Sequence, residues 1–156
     1  MREAVPEDAG GIHALAGELA RSIGDTPPEP GALRDRLSEL LDEPRARVLV
    51  AEGAGGGVEG AATLWIKPDL AHGDTVVEVP MLVVAEGSRN RGVGRLLMEG
   101  VRRAAAESGA GLIELVATRD NEPARSFYRS QGFTETDHVS LEFVGEMRAP
   151  EDRGGG

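Results

Sequence analysis

The chain has 156 residues, of which 40% are hydrophobic and 28% charged, as expected of a soluble globular protein with one domain. No apolar run approaches the roughly 20 residues that cross a bilayer, so we expect a cytoplasmic protein with no membrane partner. The net charge of -10 argues against nucleic-acid binding, and the absence of cysteine excludes a thiol nucleophile, a disulfide framework and a cysteine-based zinc site.

Two amphipathic helices are predicted near the start of the chain. The first runs from Val5 to Ala20, where Pro6 opens the helix and apolar residues recur at helical spacing. The second runs from about Ala32 to Asp42, with its leucines on one face. The proline-containing connection between them, residues 24–31, fits a surface loop, with a mobile lid over a substrate site as the alternative.

Three strands follow in the sequence. Arg47 to Glu52 and Val58 to Lys67 flank a glycine-rich turn and form a predicted hairpin. The third strand runs from Thr75 to Val84 and contains Pro80, which cannot donate a backbone hydrogen bond to a neighbouring strand. We therefore expect a break in strand pairing near Pro80, with free backbone groups that a ligand can use.

A basic, glycine-rich turn with the sequence RNRGVG lies between this third strand and a helix predicted from Gly92 to about Ser108. A helix N-terminus presents unpaired amide groups and the positive end of the helix dipole, which together bind anions. Three arginines in and beside the turn add positive charge, and its two glycines let a ligand approach the backbone closely. These residues are Arg89, Arg91, Arg95, Gly92 and Gly94. The turn is therefore a predicted phosphate-binding site.

The remainder of the chain predicts a strand, a short helix and a last strand. Leu112 to Thr118 is apolar and should lie parallel to the strand that contains Pro80. Asn121 caps a helix that extends to Gln131, and His138 to Val144 alternates as a final strand. Together these elements predict one α/β domain over residues 1–145, with a central mixed, mostly antiparallel sheet flanked by helices. Residues 146–156 read as a polar tail that is mobile or held by a neighbour.

Two common phosphate-binding motifs do not fit the turn. The position three residues after Gly94 is Leu97, where a dinucleotide-binding loop has glycine, and no Gly-Lys-Ser/Thr follows Gly87. The turn instead resembles the R/Q-x-x-G-x-G/A signature of the GNAT family of N-acetyltransferases. A second block, Asn121 to Phe133, resembles that family's N-x-x-A-x-x-F-Y-x-x-x-G-F pattern. With both blocks in this order, the resemblance covers nearly the whole chain.

The resemblance implies an acetyltransferase that uses acetyl-CoA as co-substrate and moves the acetyl group directly to a primary amine, with no metal. Backbone amides of the turn would hold the pyrophosphate, the strand before it would bond the pantetheine arm and the acetyl carbonyl, and an asparagine would contact the pantetheine. The matching residues are Arg89, Asn90, Arg91, Gly92, Val93, Gly94 and Arg95 in the turn, Leu82, Val83 and Val84 in the strand, and Asn121. Tyr128 matches the acid that protonates the departing thiolate.

At the general base, the chain departs from the family pattern. Many relatives resemble one another in carrying an acid where this chain has Pro80, and the nearest acid is Glu78, which shares the strand face of Pro80 if the alternation continues. Glu78 would act directly or through a water, with a solvated surface glutamate as the alternative. His72 and His138 are weaker candidates. A competing function is an acyl-CoA-binding sensor or assembly module without transferase activity.

The acceptor and the assembly stay open at this point. A small polyamine, an aminoglycoside, an amino acid and a peptide N-terminus are all compatible. The acidic surface fits a cationic acceptor, with a role in solubility alone as the alternative. A homodimer is what the family resemblance suggests. Arg125 and Arg129 are exposed by helical spacing and fit solvated side chains, with a contact to the 3'-phosphate of the cofactor as the alternative.

Overall fold

One mixed sheet organises residues 1–147, the part of the chain that the computed structural model describes. The strands are β1 (Arg2–Glu3), β2 (Ala46–Glu52), β3 (Val58–Asp69), β4 (Asp74–Val84) and β5 (Leu112–Leu115). Their spatial order follows the sequence; β1 to β4 run antiparallel to their neighbours and β5 lies parallel to β4. The predicted mixed, mostly antiparallel sheet is confirmed, and β1 is an additional short strand.

Each helix predicted from the sequence is present. The helices are α1 (Ala9–Ile23), α2 (Pro30–Asp42), α3 (Val93–Glu107) and α4 (Glu122–Ser130). The largest difference from the prediction is at the first helix, because Pro6–Asp8 forms a separate 3₁₀ turn. There the Asp8 carboxylate accepts hydrogen bonds from the Arg2 guanidinium and from the Val5 amide, each at 2.8 Å. No helix within residues 1–147 has the length and apolarity needed to cross a membrane.

Two apolar clusters cover opposite faces of the sheet. On one face, Leu97, Met98 and Val101 of α3 are fully buried against the central strands. On the other face, Leu15 of α1 and Leu37 of α2 pack on β2, β3 and β4. Because successive residues of a strand point to opposite faces, the central strands supply apolar side chains to both clusters. The fold is thus a sheet between α3 and the α1–α2 pair.

The pairing of β4 changes at Pro80, as the sequence predicts. β5 pairs with β4 only as far as Val79, and no strand within residues 1–147 covers that edge of β4 beyond this point. On the other edge, Thr63 of β3 faces Met81 while Trp65 faces Glu78, so β4 carries one extra residue there. This is a β-bulge, which bends the strand and leaves the inserted residue unpaired.

The bulge also reverses which side chains face which cluster. Val77 and Val79 belong to the cluster beneath α3, and so do Leu82 and Val84, although their numbers differ in parity. The strict alternation assumed in the sequence analysis therefore fails across Pro80.

The predicted final strand is wrong. His138 to Val144 pairs with no strand within the described part of the chain. β5 ends at Leu115, short of the predicted Thr118, because β4 diverges from it after Val79. The predicted tail, residues 146–156, lies outside the described residues from residue 148 onward.

Candidate active site

β4 and β5 diverge after Val79, which leaves one edge of β4 unpaired directly before the basic turn. From Met81 to Val84 the backbone of β4 is paired with β3 on one side only. Val83 is buried in the α1–α2 cluster, and Leu82 and Val84 pack in the cluster beneath α3. Since both faces hold their side chains, this stretch presents a fixed row of backbone donors and acceptors to a ligand.

The turn that follows has an unusual backbone. Asn90 has φ 61° and Gly92 has φ 83°, both in the left-handed region. Asparagine and glycine are the residues that adopt this region at least cost, so their presence here explains the local shape of the turn. Two features hold the turn in place. Ser88 is buried, and the Glu86 amide donates a hydrogen bond to the Glu18 carboxylate of α1 at 3.1 Å.

The start of α3 offers several free donors. No hydrogen bond within residues 1–147 is made by the amides of Val93, Gly94 or Arg95; the first intrahelical bond runs from the Leu96 amide to the Gly92 carbonyl at 3.0 Å. These amides form the positive end of the helix dipole. The arrangement fits an anion better than any neutral ligand.

Three arginines surround these amides. Arg89 and Arg91 are exposed and form no ion pair with another described residue. Arg95 is exposed as well, and its Nε lies 3.7 Å from Glu99 Oε1, a loose contact along α3. The positive charge is therefore available to a ligand, within a chain whose net charge is -10.

Gly94 has a role that the sequence analysis did not anticipate. A Cβ atom at this position would lie 3.1 Å from Cζ of Phe127 on α4, whereas a Cβ at Gly92 would meet nothing within 4 Å. The missing side chain of Gly94 thus lets the two sequence blocks pack on each other. No single-sequence signal marks this contact, since it joins residues of two separate helices.

Asn121 lies at the start of α4, and its predicted capping role is confirmed. Its Oδ1 accepts a hydrogen bond from the Ala124 amide at 3.3 Å. The side-chain NH₂ group donates no hydrogen bond within residues 1–147 and stays available to a ligand carbonyl.

Tyr128 is half-buried on the same helix. Its ring packs between Phe127 and Phe133, with centroid distances of 5.4 and 5.9 Å. Burial raises the pKa of the phenol above its ordinary value of 10.0. The hydroxyl makes no hydrogen bond within the described residues, so the group is a neutral donor held in place by its ring.

The shared strand face expected for Glu78 and Pro80 required regular alternation, and the β-bulge at Pro80 interrupts that alternation. Glu78 projects on the face opposite Val77 and Val79, which is the face of Met81 and Val83. Its carboxylate forms an ion pair with Lys67 of β3. The hydrogen bond to Glu78 raises the pKa of Lys67, and the negative charge of Glu114 raises it further.

Glu114 of β5 belongs to no motif in the sequence, yet the fold places it beside Glu78. It lies opposite Glu78 in the parallel register, so both carboxylates project from the same face of the sheet. The signal that could have found it is the register of the parallel pair, which a single sequence does not specify.

The two histidines considered as candidate bases, His72 and His138, lie in different surroundings. His72 is exposed and pairs through Nδ1 with Asp69, which raises the pKa of the imidazole. His138 is exposed, and its backbone amide contacts the Thr136 hydroxyl at 3.4 Å. Neither lies on the free edge of β4.

The arginines of α4 are engaged with acids. Arg125 donates two hydrogen bonds of 2.8 Å to the Glu135 carboxylate, and Arg129 donates a further one of 2.8 Å. Arg129 also bonds Glu122 at 2.5 Å. These side chains therefore hold the chain after α4 against the helix, which disfavours a ligand-binding role for them.

A family model described as an acetyltransferase (GNAT) domain matches residues 44–135, which contain both sequence blocks. The chain belongs to the GNAT acetyltransferase family. Streptothricin acetyltransferase of Streptomyces lavendulae is 34% identical over 155 residues, covering 85% of this chain and 80% of the relative. The resemblance seen in the sequence is confirmed, and the protein is a GNAT enzyme that acetylates nitrogen.

Solved structures agree on the GNAT fold. Glucosamine-6-phosphate N-acetyltransferase from Arabidopsis thaliana superposes with a TM-score of 0.77 at 16% identity, covering 92% of this chain and 97% of that one. An acetyltransferase of Trypanosoma brucei superposes with a TM-score of 0.75 at 21% identity, with the same coverage of 92% and 97%. At these identities the likeness supports the fold alone.

Proposed function

We propose that this GNAT enzyme transfers an acetyl group from acetyl-CoA to the primary amine of a small cationic acceptor. The observation that carries the proposal is the parting of β4 and β5 at Pro80, immediately before the unpaired amides at the start of α3. A free strand edge followed by an anion-binding helix end matches a ligand with an amide-containing arm and a pyrophosphate.

The donor half of the site fits coenzyme A in its chemistry. The amides from Arg89 to Arg95 and the free guanidinium groups of Arg89 and Arg91 would hold the pyrophosphate. The backbone of Leu82, Val83 and Val84 would pair with the pantetheine arm, and the free NH₂ group of Asn121 would donate to it. The required groups are thus present on elements whose other contacts hold them in place.

Acetyl-CoA supplies the acyl group as a thioester. The acceptor nitrogen forms the new C–N bond as the C–S bond breaks, with no acyl-enzyme intermediate. The proton on that nitrogen passes to Glu78, directly or through one water. The Tyr128 hydroxyl gives its proton to the departing sulfur, and its raised pKa keeps the phenol protonated at neutral pH.

Glu78 is the base we favour because of its face and its partner. It projects on the α1–α2 side of β4, just before the bulge where the free edge begins. Lys67 binds its Oε2, so Oε1 remains for a water or an amine.

The face of the sheet on which Glu78 lies, which is the proposed acceptor side, carries negative charge. Glu78 and Glu114 are register neighbours on one face, next to Trp65 of β3. Carboxylates beside an aromatic ring favour a protonated amine over a neutral or anionic acceptor. The name of the relative from S. lavendulae specifies streptothricin as its acceptor, which makes that compound the first to test.

The proposal is tested by following free thiol while the protein is incubated with acetyl-CoA and a panel of amines. The panel contains streptothricin, a polyamine, an aminoglycoside, an amino acid and a peptide with a free N-terminus. We expect acceptor-dependent thiol release that is fastest with the small polycationic amines. Acetyl-CoA binding without thiol release on any amine would instead support a sensor.

Matched substitutions of the two carboxylates separate their roles. Glu78→Gln removes the proposed base and should lower kcat by about 100-fold, within the range usual for general-base catalysis. Glu114→Gln keeps the base and should raise the acceptor KM, with kcat little changed. Equal kinetics for Glu78→Gln and the unmodified protein would assign the base elsewhere.

A further inference from the structure

Arg102 of α3 is an exposed arginine whose partner is a backbone carbonyl instead of an acid. Its guanidinium donates a hydrogen bond through Nη2 to the carbonyl of Gln131, the residue that ends α4. Among residues 1–147 it forms no ion pair, and the next residue, Arg103, forms neither an ion pair nor such a bond. The last turn of a helix leaves carbonyl groups unpaired at the negative end of the helix dipole, where a cation is favourable. The bond therefore ties the end of α4 to α3.

A second contact joins the same two helices. Phe127 of α4 packs over Gly94 of α3, where a Cβ would lie only 3.1 Å from Cζ of the ring. Gly94 and Arg102 are separated by roughly two turns of α3, so the two contacts are well apart along the helix. In the sequence, Tyr128 lies between Phe127 and Gln131. The helix segment that carries Tyr128 is thus attached to α3 on both sides, which fixes its tilt and its rotation.

Few other interactions hold α4 in place. None of its side chains is fully buried, and the rings of Tyr128 and Phe133 pack against the cluster beneath α3 but stay half-buried. The ion pairs of α4 join it to its own residues and to the segment that follows it. Apart from the bond of Arg102, no hydrogen bond within residues 1–147 joins α4 or its capping residues to α3 or to the sheet. The loss of this bond should therefore loosen the helix.

We propose that Arg102 is a positioning residue for acetyl transfer, because its bond to the Gln131 carbonyl fixes the end of α4 and thereby the place of the Tyr128 hydroxyl. The inference rests on the proposed role of Tyr128 as the acid that protonates the departing sulfur. Arg102 contacts neither the donor nor the acceptor in this scheme and acts only through α4. A displacement of about 1 Å in a catalytic group can cost roughly 100-fold in rate, so a hydrogen bond away from the reaction can govern it.

The first test compares Arg102→Met with Arg103→Met, which removes the same charge one residue further along α3. Arg102→Met should lower kcat about tenfold and leave the KM for acetyl-CoA within about twofold, whereas Arg103→Met should change neither. Arg102→Lys keeps one donor and should recover part of the rate. In a Tyr128→Phe background, Arg102→Met should lower kcat no further, because the acid that it positions is already absent. An unchanged kcat, or equal losses in the two backgrounds, would overturn the proposal.

The second test follows Tyr128 directly and needs no acceptor. Tyr128 is the only tyrosine of the chain, so the absorbance of tyrosinate during an alkaline titration reports this residue alone. Burial raises its pKa, and the guanidinium of an arginine stays charged throughout such a titration.

If Arg102→Met loosens α4, Tyr128 becomes more exposed and its pKa falls towards 10.0, whereas Arg103→Met should keep the pKa of the unmodified protein. Loss of a nearby positive charge would by itself shift the pKa upwards, so a fall reports lost burial. A tyrosine pKa that Arg102→Met leaves unchanged or raises would overturn the proposal. Absence of thiol release from the unmodified protein on every amine would instead refute the proposed function, and the titration would still test the role of Arg102 in holding α4.

Discussion

The two ends of the sheet are held in different ways. Every buried side chain within residues 1–147 lies between Ala4 and Ala105, and none lies after Ala105. The first region, residues 4–105, carries β4 and the start of α3, where we propose the donor binds. The second region, residues 106–147, carries Asn121 and Tyr128, the proposed pantetheine contact and the proposed acid. The site is thus divided between a packed half and a half with little core of its own.

Because of this difference, we expect some substitutions to affect mainly stability and others to affect mainly catalysis. The second region is attached by the contact of Phe127 with Gly94, by the half-buried rings of Tyr128 and Phe133, and by the ion pairs of α4. Surface ion pairs and half-buried rings hold a structure less firmly than a closed core does. Substitutions of the buried side chains of the first region should therefore act mainly on folding, whereas substitution of Tyr128 in the second region should act mainly on the reaction.

The largest expected effect is on folding. Leu97 is fully buried beneath the sheet, and Leu97→Ala should lower the free energy of unfolding by about 3 kcal/mol because it leaves a cavity. The matched substitution Leu115→Ala on half-buried β5 should cost only about 1 kcal/mol, since less apolar surface is lost. Urea denaturation measures both values. Equal losses at the two leucines would remove the proposed contrast between the regions.

Tyr128→Phe should show the opposite pattern, with a large effect on rate and little on stability. The substitution keeps the ring between Phe127 and Phe133 but removes the proton donor. We expect kcat to fall by about 100-fold with an unchanged midpoint of thermal unfolding. Because the pKa of this tyrosine is raised above 10.0, the unmodified enzyme should keep its acid through the neutral range. An unchanged kcat would assign the acid to another group.

The arginines of the turn should affect donor affinity without affecting chemistry. The double variant Arg89→Ala/Arg91→Ala should raise the KM for acetyl-CoA by about tenfold, because two charged donors to the pyrophosphate are lost. Arg103→Ala is the matched control, an exposed arginine of α3 outside the turn. The effect should shrink in high salt, which screens exposed charges. A similar change in KM for the control would indicate a general charge effect.

The smallest expected effect concerns the ion pairs of the second region. Hydrogen bonds from Arg125 and Arg129 lower the pKa of Glu135 from 4.5 to about 2. Since the folded state binds the proton more weakly than the unfolded state, the stabilisation is present above pH 4.5 and is lost as the pH falls towards about 2. Unfolding temperatures of Glu135→Gln and of the unmodified protein should therefore converge over this range.

Glu107→Gln serves as the control for this pH series, because Glu107 is exposed on α3 and forms no ion pair with any residue from 1 to 147. Its unfolding temperature should follow that of the unmodified protein at every pH. A gap between Glu135→Gln and the unmodified protein that stays constant down to pH 2 would contradict the role of these pairs.

Much of the proposed donor half could be predicted from the chain because its signals are local. The glycines and arginines of the turn, the apolar stretch before it and the capping asparagine each act within a few residues of their own position. Pro80 likewise interrupts pairing through its own missing amide hydrogen, so the break in the ladder followed directly from its identity. The helices and the first strands were predictable for the same reason.

The proposed acceptor half depends on contacts between distant segments. The bulge at Pro80 reversed the strand alternation, which moved Glu78 out of phase with the residues after it. Lys67 and Glu114 became its neighbours through the register of two different strand pairs, and Gly94 met Phe127 through the packing of two helices. Register and packing are set by the whole sheet, so no short stretch of sequence encodes them.

The sequence by itself therefore determined the family, the helices, the turn and the capped helix that carries Tyr128, because short-range backbone chemistry specifies each of them. Only the tertiary structure decided which carboxylates share a face, what fills the space beside Gly94, and that His138 to Val144 finds no partner in its own sheet. A strand needs an edge to pair with as well as an alternating sequence, and a single sequence specifies only the alternation.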